Sequence, residues 1–141
     1  MAEYTAGVVQ TVAAGDNVIF SDAPFGCTRG YVTHRAGSGV FRAHGAINQC
    51  RALYRVSFGG NIAIPTGGTV GEISIALAIE GEPQTSATAI VTPAAVDEYG
   101  NVYTSIYVAV DRGCCTTVTV ENTSGQAINV QNANLIIERI A

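Results

Sequence analysis

Apolar and polar residues alternate with a period of two along most of the chain, and the 3.6-residue spacing of an amphipathic helix is nearly absent. In "EISIALAIEGE", Ile73, Ile75, Leu77 and Ile79 share one face, and Ser74, Ala76, Ala78 and Glu80 share the other. "RALYRVSF" sets Ala52, Tyr54, Val56 and Phe58 against Leu53, Arg55 and Ser57. "GNVYTSIYVAV" puts Val102, Thr104, Ile106, Val108 and Val110 opposite Tyr103, Ser105 and Tyr107, and "INVQNANLIIERI" closes the chain with another β-rich run. Turn-forming stretches such as "AAGDN", "RAGSG", "PTGG", "EGEP", "DRG" and "NTSGQ" separate these runs. Short strands at this spacing predict an all-β sandwich or barrel with no helix longer than about two turns. Neither a linker nor a repeat interrupts the pattern. The expectation is one domain over residues 1–141, with 1–15 as an N-terminal strand or arm and 16–141 as the core.

Several strands carry apolar or small residues on both faces, whereas a sandwich strand normally sends one face to solvent. Tyr103 and Tyr107 stand opposite an aliphatic face, and so do the small residues of 74–78. Either the sheet exposes a few tyrosines, or these second faces pack against neighbouring subunits, where tyrosine is favoured. The second reading is preferred, and it makes Tyr103 and Tyr107 candidate subunit-interface residues.

Composition points the same way. The 141 residues are 48% hydrophobic and only 13% charged, about half the charge of an average soluble domain. Some apolar surface is therefore expected to be buried against other chains. Net charge is −4, and the seven basic residues are all arginines, scattered along the sequence. No basic stripe is available to follow a phosphate backbone, so nucleic acid is not an expected partner. No apolar run is long enough for a membrane helix. "MAEYTAGVVQ" lacks the positive start and apolar run of a secretory signal, which leads to the expectation of a protein made and folded in a cytoplasm.

Catalytic constellations are missing, so an enzyme is not expected. "AGSGV" around Ser38 lacks the spacing of a nucleophile elbow. His34 and His44 lie ten residues apart in β-rich sequence, which favours structural or surface roles over catalysis. "GGNIAIPTGGTVG" has glycines but no lysine and cannot act as a P-loop. Asp97, Glu98 and Asn101 in "VDEYGN" could offer oxygens to calcium, though a solvated turn is the preferred reading. "NTS" at 122–124 matches a glycosylation acceptor, but a turn fits it better. No cofactor is expected.

Taken in order, "NVIFSD", "YVTHRAGSGVFRAHG", "CRALYRVSFGGNI", "ISIALAIEGEP" and "NVYTSIYVAVDRGCCTTVTVENTSGQAINVQNANLIIERI" resemble the C1q/TNF-like jelly roll. The likeness is to its bacterial and phage forms, such as the C-terminal domain of collagen-like exosporium glycoproteins. It spans residues 16–141 and rests on packing motifs. Ala52 stands where the family usually has glycine before the strand's tyrosine, and Gly113-Cys114 replaces the usual Gly-Asp. The resemblance implies an antiparallel jelly-roll β-sandwich, a homotrimer, and no catalytic centre. It suggests a structural protein of a phage particle, a capsid-decoration or head-fibre module whose partner would be the capsid protein. The alternatives are a bacterial cell-surface or spore-coat module, and a receptor- or glycan-binding trimer.

Four cysteines remain: Cys27, Cys50 and the adjacent Cys114 and Cys115. Neighbours on a strand point to opposite sides, so the vicinal pair is a poor zinc site, and no C-x-x-C spacing exists. Within the resembled jelly roll, the strand after Cys50 and the strand ending near Arg112 are antiparallel neighbours. That order would bring Cys50 near Cys114 and Cys115. Buried thiols acting as small apolar groups, and a disulfide from Cys50 to one of the pair, both remain open; either role is structural.

Overall fold

A computed structural model describes residues 2–26, 31–113 and 115–141. Its regular elements are eleven strands: β1 (Ala2–Ala6), β2 (Gln10–Val12), β3 (Asp22–Phe25), β4 (Val32–His34), β5 (Phe41–His44), β6 (Arg51–Ala63), β7 (Ile73–Ile79), β8 (Glu82–Val91), β9 (Gly100–Asp111), β10 (Cys115–Asn122) and β11 (Ile128–Arg139). The first sheet runs β3-β1-β11-β6-β9, with β2 also pairing β11, and the second runs β4-β5-β10-β7-β8. Every pairing is antiparallel. The molecule is an all-β sandwich, as the alternation predicts, with the jelly-roll architecture that the resemblance implies.

The core lies between the sheets and is built from the faces that alternation nominates. Ala52, Tyr54, Val56 and Phe58 of β6 are fully buried, as are Ile73, Ile75 and Leu77 of β7. Val102, Val108 and Val110 of β9 join the same cluster. Phe20 packs edge-on against Phe41 and Phe58, with ring centroids 5.3 and 6.5 Å apart, the geometry favoured by aromatic quadrupoles. Residues 18–20 reach this cluster beside Gly39, where an added Cβ would come within 2.6 Å of the Val18 carbonyl oxygen. Only a glycine lets the two backbones approach so closely.

One expectation changes. Ala76 and Ala78, on the outward face of β7, are already inaccessible within a single chain. They lie opposite an irregular stretch of β8, where the register jumps from Ala76↔Thr88 to Ala78↔Pro83. Their small size therefore answers a need inside the chain, and this part of the second face calls for no neighbouring subunit.

Two buried polar groups tie the loops to the sandwich. The Tyr54 hydroxyl donates to the His44 carbonyl at 2.6 Å and lies 3.2 Å from that of Tyr31. Asn122 is 0% exposed; its amide nitrogen donates to the Val12 and Gln126 carbonyls, and its oxygen accepts from Ser124 N–H. "NTS" is thus a closed turn that fastens β2 to the β10–β11 connection, and in the folded chain the Asn122 amide is buried with both hydrogens engaged. Asn122→Ala would take the partner from the buried Val12 carbonyl and from the half-buried Gln126 carbonyl and Ser124 N–H, and a buried group left unsatisfied costs about 1–3 kcal/mol. Urea denaturation should show a loss of at least about 2 kcal/mol; an unchanged midpoint would contradict this role.

Candidate functional site

The outward face of the first sheet holds the tyrosines singled out in the sequence. β6 pairs with β9 without interruption from Arg51↔Asp111 to Ile62↔Gly100, and this register sends Tyr103 and Tyr107 to the surface, 66% and 62% exposed. Four residues apart on one face of a strand, they sit about 13 Å from each other. Tyr103 is opposite Gly59, and its Cδ2 would lie 3.8 Å from a Cβ built on that glycine. The ring covers the gap that a residue without a side chain leaves in the sheet surface.

The rest of this face is small, amide-rich or charge-paired. Ser57 and Ser105 hydroxyls are 3.3 Å apart, Asn101 donates to Asn61 at 3.1 Å, and Asn134 donates to Glu3 at 2.6 Å. Arg51 meets Asp111 at 3.2 Å and Arg55 meets Glu138 at 3.5 Å. Exposed pairs of this kind add little stability. Their effect is to leave the face with almost no unbalanced charge.

β9 is also an unusual edge. Edge strands are normally kept short, or broken by proline, bulges or charge, so that they do not pair with other chains. β3 has four residues including Pro24, β4 has three, and β8 carries Glu82, Pro83 and an irregular register. β9 runs for twelve residues with a regular ladder and a single charged side chain, Asp111 at its end. Among the described residues it is the one long edge with none of these devices.

The two described cysteines adjoin strands of different sheets. The start of β6 does lie beside the end of β9: Arg112 N–H donates to the Cys50 carbonyl at 3.0 Å. Cys50 is an exposed free thiol whose sulfur lies 3.8 Å from an Arg112 guanidinium nitrogen. Cys115 opens β10 in the second sheet, half-buried and opposite His44. Cys27 and Cys114 lie outside the described residues.

The other candidate groups serve local structure. His34 stacks on Phe41, with centroids 4.2 Å apart and planes 10° from parallel, and its Nε2–H donates to the Ser38 carbonyl at 2.8 Å. His44 Nε2 is hydrogen-bonded to Thr33 Oγ1 at 3.1 Å. Asp97, with φ of 58°, accepts from Thr66 Oγ1 at 2.6 Å and donates its N–H to the Ile64 carbonyl. Its carboxylate closes a loop. Among the described residues no three histidine, cysteine, aspartate or glutamate side chains gather as metal ligands.

No family model matches the chain, and no curated protein does. Solved structures match its fold. A TNF structure, Eiger from S. frugiperda, superposes with a TM-score of 0.69 at 12% identity, covering 100% of this chain and 92% of the other. Murine APRIL gives 0.64 at 10% identity, covering 97% and 98%. The globular domain of zebrafish complement 1qA gives 0.59 at 12% identity, covering 96% and 94%. The chain therefore has the C1q/TNF-like jelly-roll fold over its whole length, at a distance where likeness speaks for the fold alone.

The exposed Cys50 thiol gives a direct check. A maleimide should label it in the native, unreduced protein, and Cys50→Ser should change stability by less than about 0.5 kcal/mol. A native protein in which Cys50 resists labelling until reductant is added would mean that the thiol forms a disulfide.

Proposed function

We propose that this chain is a non-enzymatic structural protein that works as a homotrimer, a capsid-decoration or head-fibre module of a phage particle. The observation that carries self-association is β9: a long, regular edge with Tyr103 and Tyr107 on its outward face and no device against pairing. Exposed tyrosines on a charge-balanced face are what a subunit contact uses. A three-fold assembly is what the C1q/TNF-like resemblance implies, and that resemblance, to bacterial and phage forms, also supplies the setting. The low charge content accords with a surface partly covered by its own copies.

Light scattering at micromolar concentration should give three times the 14.6 kDa chain mass. Tyr103→Glu combined with Tyr107→Glu should yield a folded monomer, because both side chains are exposed in the single chain while a carboxylate buried in a contact costs several kcal/mol. A monomeric parent protein would refute the assembly. The setting is tested separately: the protein should co-purify with phage particles at fixed stoichiometry. Recovery with the cell envelope or spore coat instead would move the same module to a bacterial surface.

A further inference from the structure

The arginines are not evenly spread along the sequence. Five of the seven, with both histidines, fall between Asp22 and Glu72, a stretch without aspartate or glutamate. Arg51 and Arg55 are matched by Asp111 and Glu138 on the first sheet. Among the described residues, neither Arg35 nor Arg42 forms an ion pair with a carboxylate. Both are exposed, and both line one hollow of about 330 Å³ together with Thr33, His34 and Val40. The stacking of His34 on Phe41 and its bond to the Ser38 carbonyl make the back of this hollow firm.

A second hollow of about 440 Å³ lies alongside, lined among others by Tyr31, His44, Ile47, Asn48 and Arg139. The Thr33–His44 hydrogen bond joins the two, since Thr33 lines one and His44 the other. Its backbone is held in place from below. Buried Tyr54 donates to the His44 carbonyl, and His44 N–H donates to the Tyr31 carbonyl at 2.8 Å. Above it, the Arg139 guanidinium covers the Tyr31 ring at 4.4 Å, within cation–π range.

We propose that these joined hollows on β4 and β5 bind a short saccharide bearing one carboxylate or sulfate group. The anion sits on Arg35 and Arg42, and the neutral sugar runs past Thr33 and His44 toward Tyr31 and Asn48. Planar guanidinium forks match the two or three oxygens of such a group, and exposed, unpaired ones do so without breaking an ion pair. Two cations lining one hollow of a chain of net charge −4 suit one anionic group and not a polyanion, whose binding needs many contacts. A peptide strand is disfavoured because β4 offers an edge of only three residues for β-addition. Threonine, histidine and asparagine side chains supply the mixed donors and acceptors that sugar hydroxyls require.

Titration calorimetry on the full chain would use 3′-sialyllactose, 3′-sulfolactose, lactose, inorganic sulfate and a pentaglutamate peptide. At least one charged sugar should bind, at least about tenfold more tightly than lactose, and whichever of the two binds identifies the anionic group. Arg35→Gln and Arg42→Gln, both at exposed positions, should each weaken that sugar about tenfold with circular dichroism unchanged. His44→Ala should weaken the sugar but not inorganic sulfate. The proposal is overturned if neither charged sugar binds at millimolar concentration, if lactose binds equally, or if the arginine variants bind like the parent. Sulfate binding as tightly as 3′-sulfolactose would mean a bare anion site, and tighter pentaglutamate binding would mean an acidic protein partner; each overturns the saccharide.

Discussion

The inward face of β6 carries Ala52, Tyr54, Val56 and Phe58 without exposure, and the pairing of β6 with β9 and β11 depends on keeping it there. A slip of one residue would turn Arg51, Leu53, Arg55 and Ser57 inward and expose two aromatic rings, because side chains alternate strictly along a strand. Burying unpaired arginines costs far more than any local preference can return. The register of the first sheet is therefore fixed by hydrophobic burial, and the surface is fixed with it. Once Val102, Thr104, Val108 and Val110 face the core, Tyr103 and Tyr107 must face away. Tyr54 extends the constraint beyond its own sheet, since its hydroxyl secures the backbone at His44, the last residue of β5.

This dependence explains which features were legible in the sequence. Period-two alternation names the inward face of β6, β7 and β9 directly, because solvent and core impose opposite demands on successive residues. It cannot tell an outward residue that another part of the same chain covers from one that waits for a partner. Ala76 and Ala78 therefore read like Tyr103 and Tyr107, although the alanines are buried and the tyrosines are not. The difference depends on β8, whose irregular register has no signature in the alternation. Asn122 is similar: "NTS" announces a turn, but its carbonyl partners come from Val12 and Gln126, one of them 110 residues away.

The arginine hollow was less legible still. Arg35 and Arg42 lie on either side of a turn, and only the β4–β5 pairing with Thr33↔Arg42 and His34↔Phe41 brings them to one place. What could have been read is the run of residues from Asp22 to Glu72 without a carboxylate. A long segment with one sign of charge has to put its cations somewhere, and strand order decides whether they meet acids. Arg51 and Arg55 do, because β6 lies between β9 and β11, which bring Asp111 and Glu138. Arg35 and Arg42 do not, because β4 ends its sheet and its one neighbour, β5, carries no acid.

Charge distribution thus separates the two surfaces by what each can tolerate. In a closed three-fold assembly each surface meets a different surface of its neighbour. A face is therefore cheapest to bury where its charges are already balanced or the facing patch supplies the opposite sign. The outward face of the first sheet meets that condition through its two ion pairs, its amide contacts and its tyrosines. The β4–β5 side does not, because its two guanidiniums would be buried without a carboxylate unless the facing patch brought one. The property that makes this side costly to cover with a second copy is the one an anionic ligand needs. Its place at the far end of the second sheet from β8 sets it apart from β9, so under the proposed assembly one sandwich would join its copies through one face and bind through the other.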